Sequence, residues 1–294
     1  LNPENEKRSI VNALLDLTKF RITFSVTITA IVGYVLFVGT VDLIAFVTAF
    51  GIFLLSCGSS AFNHWQEIKF DKIMKRTQKR PLVTEYFSPK QGFAIAMIFA
   101  LSGLILLTFT NNLTVVLLGL FALVLYNIIY TPLKRVTSLA VAPGALIGSI
   151  PPIMGWVAAG GYVFDVAILS LGVFIFVWQM PHFWLLLLIF DEDYKSAGYP
   201  VLTDSVSHNQ LRRIIFMWIA GLFGSYFLMP LFHLTDSPII SGLVLIAGIR
   251  MIWKSRDLLD INLTNLVYRR AFIEVNLFVL FVLILISIER IFNF

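Results

Sequence analysis

Between Asn63 and Leu82 the chain reads NHWQEIKFDKIMKRTQKRPL, placing two acids, one asparagine and six cations directly after an apolar run. Asn63, Glu67 and Asp71 recur at i, i+4 and i+8. At about 100° per residue they fall within roughly 80° of one helix face, so three oxygen-bearing side chains point the same way. A carboxylate stripe alone suits a hard cation. Carboxylates interleaved with Lys72, Lys75, Arg76, Lys79 and Arg80 suit Mg²⁺ shared with a polyphosphate, since Mg²⁺ takes one or two carboxylates plus phosphate oxygens and waters. The cations then neutralise the phosphate charge that remains. Snorkelling and local ion pairs explain Lys69, Lys75, Lys79 and Lys90, but not an acidic stripe at the end of a hydrophobic segment.

A second acidic cluster, Asp191, Glu192 and Asp193, closes another apolar run. Two acidic patches flanking one diphosphate would hold two metals on a single leaving group, the arrangement that ionises an allylic ester. The residues therefore read as a membrane enzyme acting on a lipid diphosphate.

Something must hold these groups in place, and the composition says what. Hydrophobic residues make up 58% of the 294, charged residues only 13%, against about 25% charged in a soluble domain; mean hydropathy is +0.86. Apolar runs of about 20 residues, enough to cross a bilayer, recur throughout. The predicted fold is an all-α polytopic membrane protein, one domain over residues 1–294, with a polar cytoplasmic segment at 1–18. Its nine helices are expected at Phe20–Val38, Leu43–Phe62, Gln91–Thr110, Leu113–Tyr130, Leu139–Ala158, Phe164–Phe190, Arg212–Phe232, Ile239–Trp253 and Ala271–Ile291. They should form one bundle around a central cavity facing the cytoplasm.

With the N-terminus inside, 21 of the 22 Lys and Arg residues fall on the cytoplasmic side and Arg290 alone falls outside. The positive-inside rule then predicts an N-in, C-out topology, in the inner membrane of a bacterial cell. The basic balance follows from this bias, so no nucleic-acid partner is expected. The opening LNPENEKR shows no recognisable cleavage site, and no signal peptide is expected. One cysteine, Cys57, excludes a disulfide or a Cys-based metal cluster within the chain and reads as a small buried hydrophobe. No short repeat or low-complexity tract is present.

Other residues are open to more than one reading. His182, mid-span and about 13 Å along a helix from Asp191, suits a contact to a molecule in the cavity, a proton-transfer group or a neutral histidine bonded to a neighbouring helix. His64 suits a contact to a bound molecule or packing. Tyr126 and Tyr130 read first as interfacial belt residues, and otherwise as shields for a cation or donors to diphosphate. Pro151-Pro152 is expected to kink its span and open the cavity.

The stretch NxxxExxxDxxM followed by RTxxRPL resembles the first motif of the UbiA superfamily of intramembrane prenyltransferases, and DxxMxRTxxRPL more narrowly its haem O synthase branch. YTPLKR at Tyr130–Arg135, PPIMGW at Pro151–Trp156, WQMPHFW from Trp178, and DYKSAGYPVL ending at Leu202 agree with that branch. The resemblance implies Mg²⁺, farnesyl diphosphate as donor and haem B as acceptor, with the product, haem O, going to terminal oxidases. It assigns Asn63, Glu67 and Asp71 to the first metal and diphosphate cluster and Asp193, with Asp191 beside it, to the second. Arg76, Arg80, Lys134 and Arg135, with Tyr130 and Lys72, become the contacts for diphosphate or haem propionates. Lys19, Arg21, His64, Trp178 and His182 become haem contacts, and haem A synthase or oxidase assembly factors the expected protein partners. Glu67 stands where much of the superfamily has Asp, only Asp193 matches the second motif, and Lys19-Phe20-Arg21 replaces the branch's usual K-P-R.

Three alternatives remain at this level. A quinone precursor or a chlorin could replace haem as acceptor. A secondary transporter would place its polar groups at broken helices near the midplane, whereas these acids gather at span ends. A structural haem subunit would want His pairs on facing helices and has no use for two acidic clusters.

Overall fold

The structure is a computed structural model that describes residues 8–260 and 265–292. Among these, nine helices are long and apolar enough to cross a membrane. A short helix, α1 (Ile10–Leu17), precedes them. The spans are α2 (Phe20–Val38), α3 (Leu43–Asp71), α4 (Pro89–Thr108), α5 (Leu113–Leu133), α6 (Ser138–Ala158) and α7 (Val166–Ile189). After a one-turn helix α8 (Asp191–Ser196) come α9 (His208–Leu231), α10 (Pro238–Leu259) and α11 (Asn265–Phe292). The expected spans are all present, with ends moved by a few residues. The largest shift is in α3, which runs nine residues past Phe62, so that Asn63, Glu67 and Asp71 belong to the spanning helix itself.

Each span packs on its neighbour in the chain and the last packs on the first, while α2 crosses α6 and α7 packs on α11. On α9 the fully buried stripe Leu211, Ile215, Ile219, Leu222 and Tyr226 shows the i, i+4, i+3 spacing of one helix face. It joins α7 and α11 in the main core. Outward residues such as Ile98, Leu101 and Ile105 on α4 are mostly exposed, as a helix facing hydrocarbon requires. Buried polar side chains tie spans to one another: Ser149 Oγ donates to the Gly172 carbonyl at 2.8 Å and Gln179 Nε2 to the Ala145 carbonyl at 3.1 Å.

Two sequence-based expectations change. The segment before the first span is not simply polar. Ser9 caps α1, Ala13 and Leu17 are fully buried, and the Arg8 guanidinium pairs with Asp16 and donates to the Lys79 carbonyl at 2.8 Å. Residues 1–7 of that segment, Lys7 among them, lie outside the described residues. Nor does Pro151-Pro152 break its span. The helix runs unbroken from Val141 to Ala158, both prolines are buried, and the Pro152 carbonyl lies against α2.

The end of the bundle away from the acidic motif is closed by one carboxylate. Glu289, buried on α11, accepts from the backbone N–H groups of Asp236 and Ser237 at 2.7 and 2.8 Å and from the Thr235 hydroxyl. It satisfies donors at the start of α10 that the helix itself leaves unpaired. Charge-assisted bonds are worth about 1.5–3 kcal/mol each and do not add fully. Glu289→Ala should therefore destabilise the detergent-solubilised protein by about 3 kcal/mol, seen as a lower thermal midpoint, with Glu289→Gln losing less.

Candidate active site

At the charged end, the last three turns of α3 present Asn63, Glu67 and Asp71, all buried, on one face. Each meets a cation from a different part of the chain. Lys19 Nζ donates to Asn63 Oδ1 at 2.8 Å, Lys134 Nζ lies 2.6 Å from Glu67 Oε1, and Arg80 Nη1 lies 2.6 Å from Asp71 Oδ2. Removing a buried charge's partner is expensive, so this alternation keeps the stripe tolerable near hydrocarbon.

Local structure explains how each cation arrives. Lys19 joins α1 to α2 with φ of 51°, a left-handed bend that ends one helix and starts the next at an angle. After Asp71 the chain turns back on itself. The Thr77 hydroxyl donates to the Asp71 carbonyl at 3.0 Å, returning Arg80 to the carboxylate it passed nine residues earlier.

Lys134 follows a π-helical stretch of α5, Val124–Tyr130. There the Thr131 N–H bonds the Tyr126 carbonyl, and Pro132 has no N–H to offer. The Asn127 carbonyl is thus left for another partner, and Gln66 Nε2 on α3 takes it at 2.9 Å. The Asn127 side chain also bonds Ser59, accepting from its hydroxyl at 2.7 Å and donating to its carbonyl at 3.0 Å. The π stretch is thereby locked against the acidic helix, a common role for such irregularities. Asn63 Nδ2 donates to the Thr131 hydroxyl at 3.1 Å, which fixes its amide oxygen toward Lys19.

Tyr126 and Tyr130 are not belt residues. Their rings stack at 5.5 Å, Tyr126 OH lies 3.5 Å from Lys19 Nζ, and Lys134 Nζ sits 5.6 Å from the Tyr130 ring centroid. Burial, and then the charges of Arg80 and Lys134, pull Lys19 down to about 7. Burial likewise lowers Lys134, against the pull of Glu67. Both cations are short of negative charge, so an arriving anion is favoured.

Sequence reasoning attached no role to Tyr199. This buried residue donates to Glu67 Oε1 at 2.8 Å from a loop 132 positions away, and Lys134 Nζ lies 5.8 Å from its ring. Burial and the Glu67 charge raise its phenol, keeping it a donor. GYP was visible as a motif, yet a tyrosine in a loop carries no spacing signal that points to a carboxylate. Partners of this kind orient metal ligands, and their loss costs about 10–100-fold in metal affinity or activity. Tyr199→Phe should raise the Mg²⁺ concentration for half-maximal activity within that range, measured by metal titration of the purified enzyme.

The second acidic cluster divides. Asp193 reaches the first motif, accepting the Arg76 N–H at 3.3 Å, while the Arg76 side chain donates to Tyr194 OH at 3.3 Å and lies 5.1 Å from the Phe190 ring centroid. Asp191 turns away to Lys195 (2.7 Å), the Thr203 hydroxyl (2.7 Å) and His208 (3.8 Å), and Glu192 is exposed. Arg135 donates to the Gln66 carbonyl at 2.8 Å and stacks over Phe70, and it lines a pocket of about 510 Å³ with Tyr199 and Lys195.

Arg21 and Lys72 are exposed, and the structure does not bring them to the stripe. His182 lies apart, its Nδ1 3.0 Å from Asn276 Oδ1 on α11 and its ring among Trp178, Phe183 and Phe272. His64 is buried beside Asn63 with neither ring nitrogen hydrogen-bonded, and the Trp178 indole N–H is also unpartnered.

The donor set suits Mg²⁺: one amide and two carboxylates, all hard oxygens on one face. Among the described residues no three Asp, Glu, His or Cys side chains converge into a complete cage. An ion held by Asn63, Glu67 and Asp71 would be completed by phosphate oxygens and water.

The chain is similar to known proteins in sequence and in fold. The sequence model of the UbiA prenyltransferase family matches residues 26–282. The "Protoheme IX farnesyltransferase" of Oleidesulfovibrio alaskensis is 32% identical over 281 residues, covering 96% of this chain and 97% of that protein. The protein of the same description from Geobacter sulfurreducens is 36% identical, covering 74% of this chain and 82% of its own length. The human mitochondrial protein is 39% identical, over 68% of this chain and 45% of its own length. A UbiA homologue from Archaeoglobus fulgidus, solved with GPP and Mg²⁺, has the same fold at TM-score 0.70 and 17% identity, covering 94% of this chain and 99% of that one. A digeranylgeranylglyceryl phosphate synthase structure matches at TM-score 0.76 and 16% identity, covering 96% and 98%.

Proposed function

We propose, for a chain that belongs to the UbiA prenyltransferase family, that it transfers a farnesyl group from farnesyl diphosphate to a vinyl group of protohaem IX. Its relatives described as protoheme IX farnesyltransferases, one of them matched along nearly its whole length, support that acceptor. The observation that carries the chemistry is the stripe of Asn63, Glu67 and Asp71 with Lys19, Lys134 and Arg80 set against it.

Lys134 and Arg80 hold the carboxylates, and each could turn its charge to a phosphate oxygen where a divalent cation paired the carboxylate in its place. Lys19 adds a third cation on the same side. Mg²⁺, held by Asn63, Glu67 and Asp71, would supply Lewis-acid neutralisation of the departing diphosphate. Asp193 holds the loop that carries Arg76, and Arg76 and Arg135 stand beside the site to receive the rest of the diphosphate or a haem propionate. The C1–O bond of the donor breaks with its electron pair leaving on diphosphate. C1 then joins the outer vinyl carbon, and water adds to the inner one with loss of a proton. The Tyr126 and Tyr130 rings offer π faces where positive charge develops. His64, Trp178 and His182 are assigned to the haem side, in a central cavity open to the cytoplasm.

The one-sided Lys and Arg distribution supports a cytoplasmic N-terminus and site, with the C-terminus across the inner membrane of a bacterial cell. Haem A synthase or oxidase assembly factors are the partners that would receive the product.

The test uses purified protein in nanodiscs with haem B, farnesyl diphosphate and Mg²⁺, read by mass spectrometry for the hydroxyfarnesyl adduct. Adduct that disappears with EDTA supports the reading. Transfer to a quinone precursor instead keeps the cradle and replaces the acceptor. No transfer to any acceptor by folded protein overturns the enzyme.

A further inference from the structure

A charged pair outside the site has no part in this chemistry. On the outer side of the bundle, α10 and α11 leave between them an apolar groove of about 350 Å³, lined by Ala247, Met251, Leu277, Leu280, Phe281 and Ile284. At the groove's charged end Arg250 forks onto Glu274, with Nη1–Oε2 at 2.5 Å and Nη2–Oε1 at 3.1 Å. Ionisable groups within spans almost always face the bundle interior, because a lipid-facing charge is costly. Yet the Arg250 side chain is 58% exposed.

The fork uses two of the five guanidinium donors and leaves three. Trp253, exposed and stacked under Arg256 at 3.7 Å, marks the level of the interface. Arg250, three residues earlier, lies about 4.5 Å deeper. Lys254 follows Arg250 by four residues and Arg270 precedes Glu274 by four, so each falls on the groove side of its helix at the charged end. Against one carboxylate the groove's end thus gathers three cations, and behind them lies an apolar trough.

From this complementarity we infer that the α10–α11 groove is a binding site for an anionic phospholipid. One acyl chain lies along Leu277, Phe281 and Ile284, and the headgroup phosphate is held by Arg250, Lys254 and Arg270. The Arg250–Glu274 fork fixes the guanidinium plane so that its remaining donors face that phosphate.

The experiment is native mass spectrometry of the full chain released from nanodiscs of equimolar phosphatidylglycerol and phosphatidylcholine. Wild type should retain phosphatidylglycerol over phosphatidylcholine by about 10-fold. R250Q/E274Q removes the oriented guanidinium and its carboxylate together, leaving neither stranded, and should lower the preference several-fold, while R250Q/K254Q/R270Q/E274Q, which removes all three cations and the carboxylate, should abolish it. Leu277→Trp fills the trough without changing charge and should lower retention of both lipids. Because none of the substituted residues belongs to the farnesyl-transfer machinery, transfer by these variants should continue and reports that they are folded. Equal retention of the two lipids by wild type, or unchanged preference in folded R250Q/E274Q, overturns the site and leaves the ion pair as a clamp between two helices. Retention of a second copy of the chain, lost in Leu277→Trp, overturns it in favour of a dimer contact. Protection of the groove by a photoreactive farnesyl diphosphate overturns it in favour of a donor entry route.

Discussion

Asp71→Asn and Glu67→Gln are each expected to lower farnesyl transfer by about 10³-fold, the scale seen when one preorganised charge-stabilising group is removed. Both carboxylates are buried, and each is within 2.6 Å of its own cation. The amides keep size and hydrogen-bonding capacity, yet leave Arg80 or Lys134 beside a neutral partner and weaken the hold on a divalent ion. Loss of activity through metal binding and loss through misfolding separate experimentally. If Asp71→Asn binds farnesyl diphosphate and unfolds within a few degrees of wild type while its rate collapses, the carboxylate acts in the chemistry. Near-wild-type turnover in either variant would remove that residue from the cradle. Lys134→Met tests the other side of the Glu67 pair. It should weaken donor binding and also destabilise the fold, because it strands a buried carboxylate at a cost of about 3–5 kcal/mol.

Gly155→Leu should prevent assembly of a stable bundle. A Cβ on Gly155 would stand 1.9 Å from the Ala30 carbonyl oxygen, and one on Gly33 would stand 1.9 Å from the Pro152 carbonyl oxygen. The obstacles are backbone atoms of the facing helix, so no rotamer change relieves them. α2 and α6 approach this closely only because both helices carry glycine where they cross, the small-residue packing on which membrane helices rely. Overpacking costs about 1–3 kcal/mol where side chains can shift, and more is expected here. The check is the monodisperse yield of the variant in detergent beside Gly221→Leu. Gly221 has nothing within 4 Å of a Cβ, so its substitution should be tolerated. Equal yields would show that α2 and α6 separate without cost.

The spans were readable because crossing a bilayer demands long apolar runs, and their number and order survive intact in the structure. Their ends were less readable. The charged end of α3 stays helical through Asp71 because its buried carboxylates, Glu67 and Asp71, find cations, and hydropathy does not register pairing. The π stretch of α5 had no advance signal. It depends on Pro132 and on Gln66 from another helix, and neither means anything until the helices touch. Tyr126 and Tyr130 show the same limit. Their composition suits a membrane belt, and only packing turns them onto Lys19 and Lys134.

By itself, then, the sequence determined that the chain is a membrane protein, with nine spans among the described residues, and that Asn63, Glu67 and Asp71 share a face. Periodicity and hydropathy are local properties, and both follow from the spacing of residues along one helix. Only the tertiary structure decided which cation meets which acid. It also brought Tyr199 to Glu67, gave Asp193 but not Asp191 to the first motif, and left Arg21 and Lys72 outside. Those pairings join elements far apart in the chain, where the strength of an ion pair depends on distance and burial, and neither is written in the order of the residues.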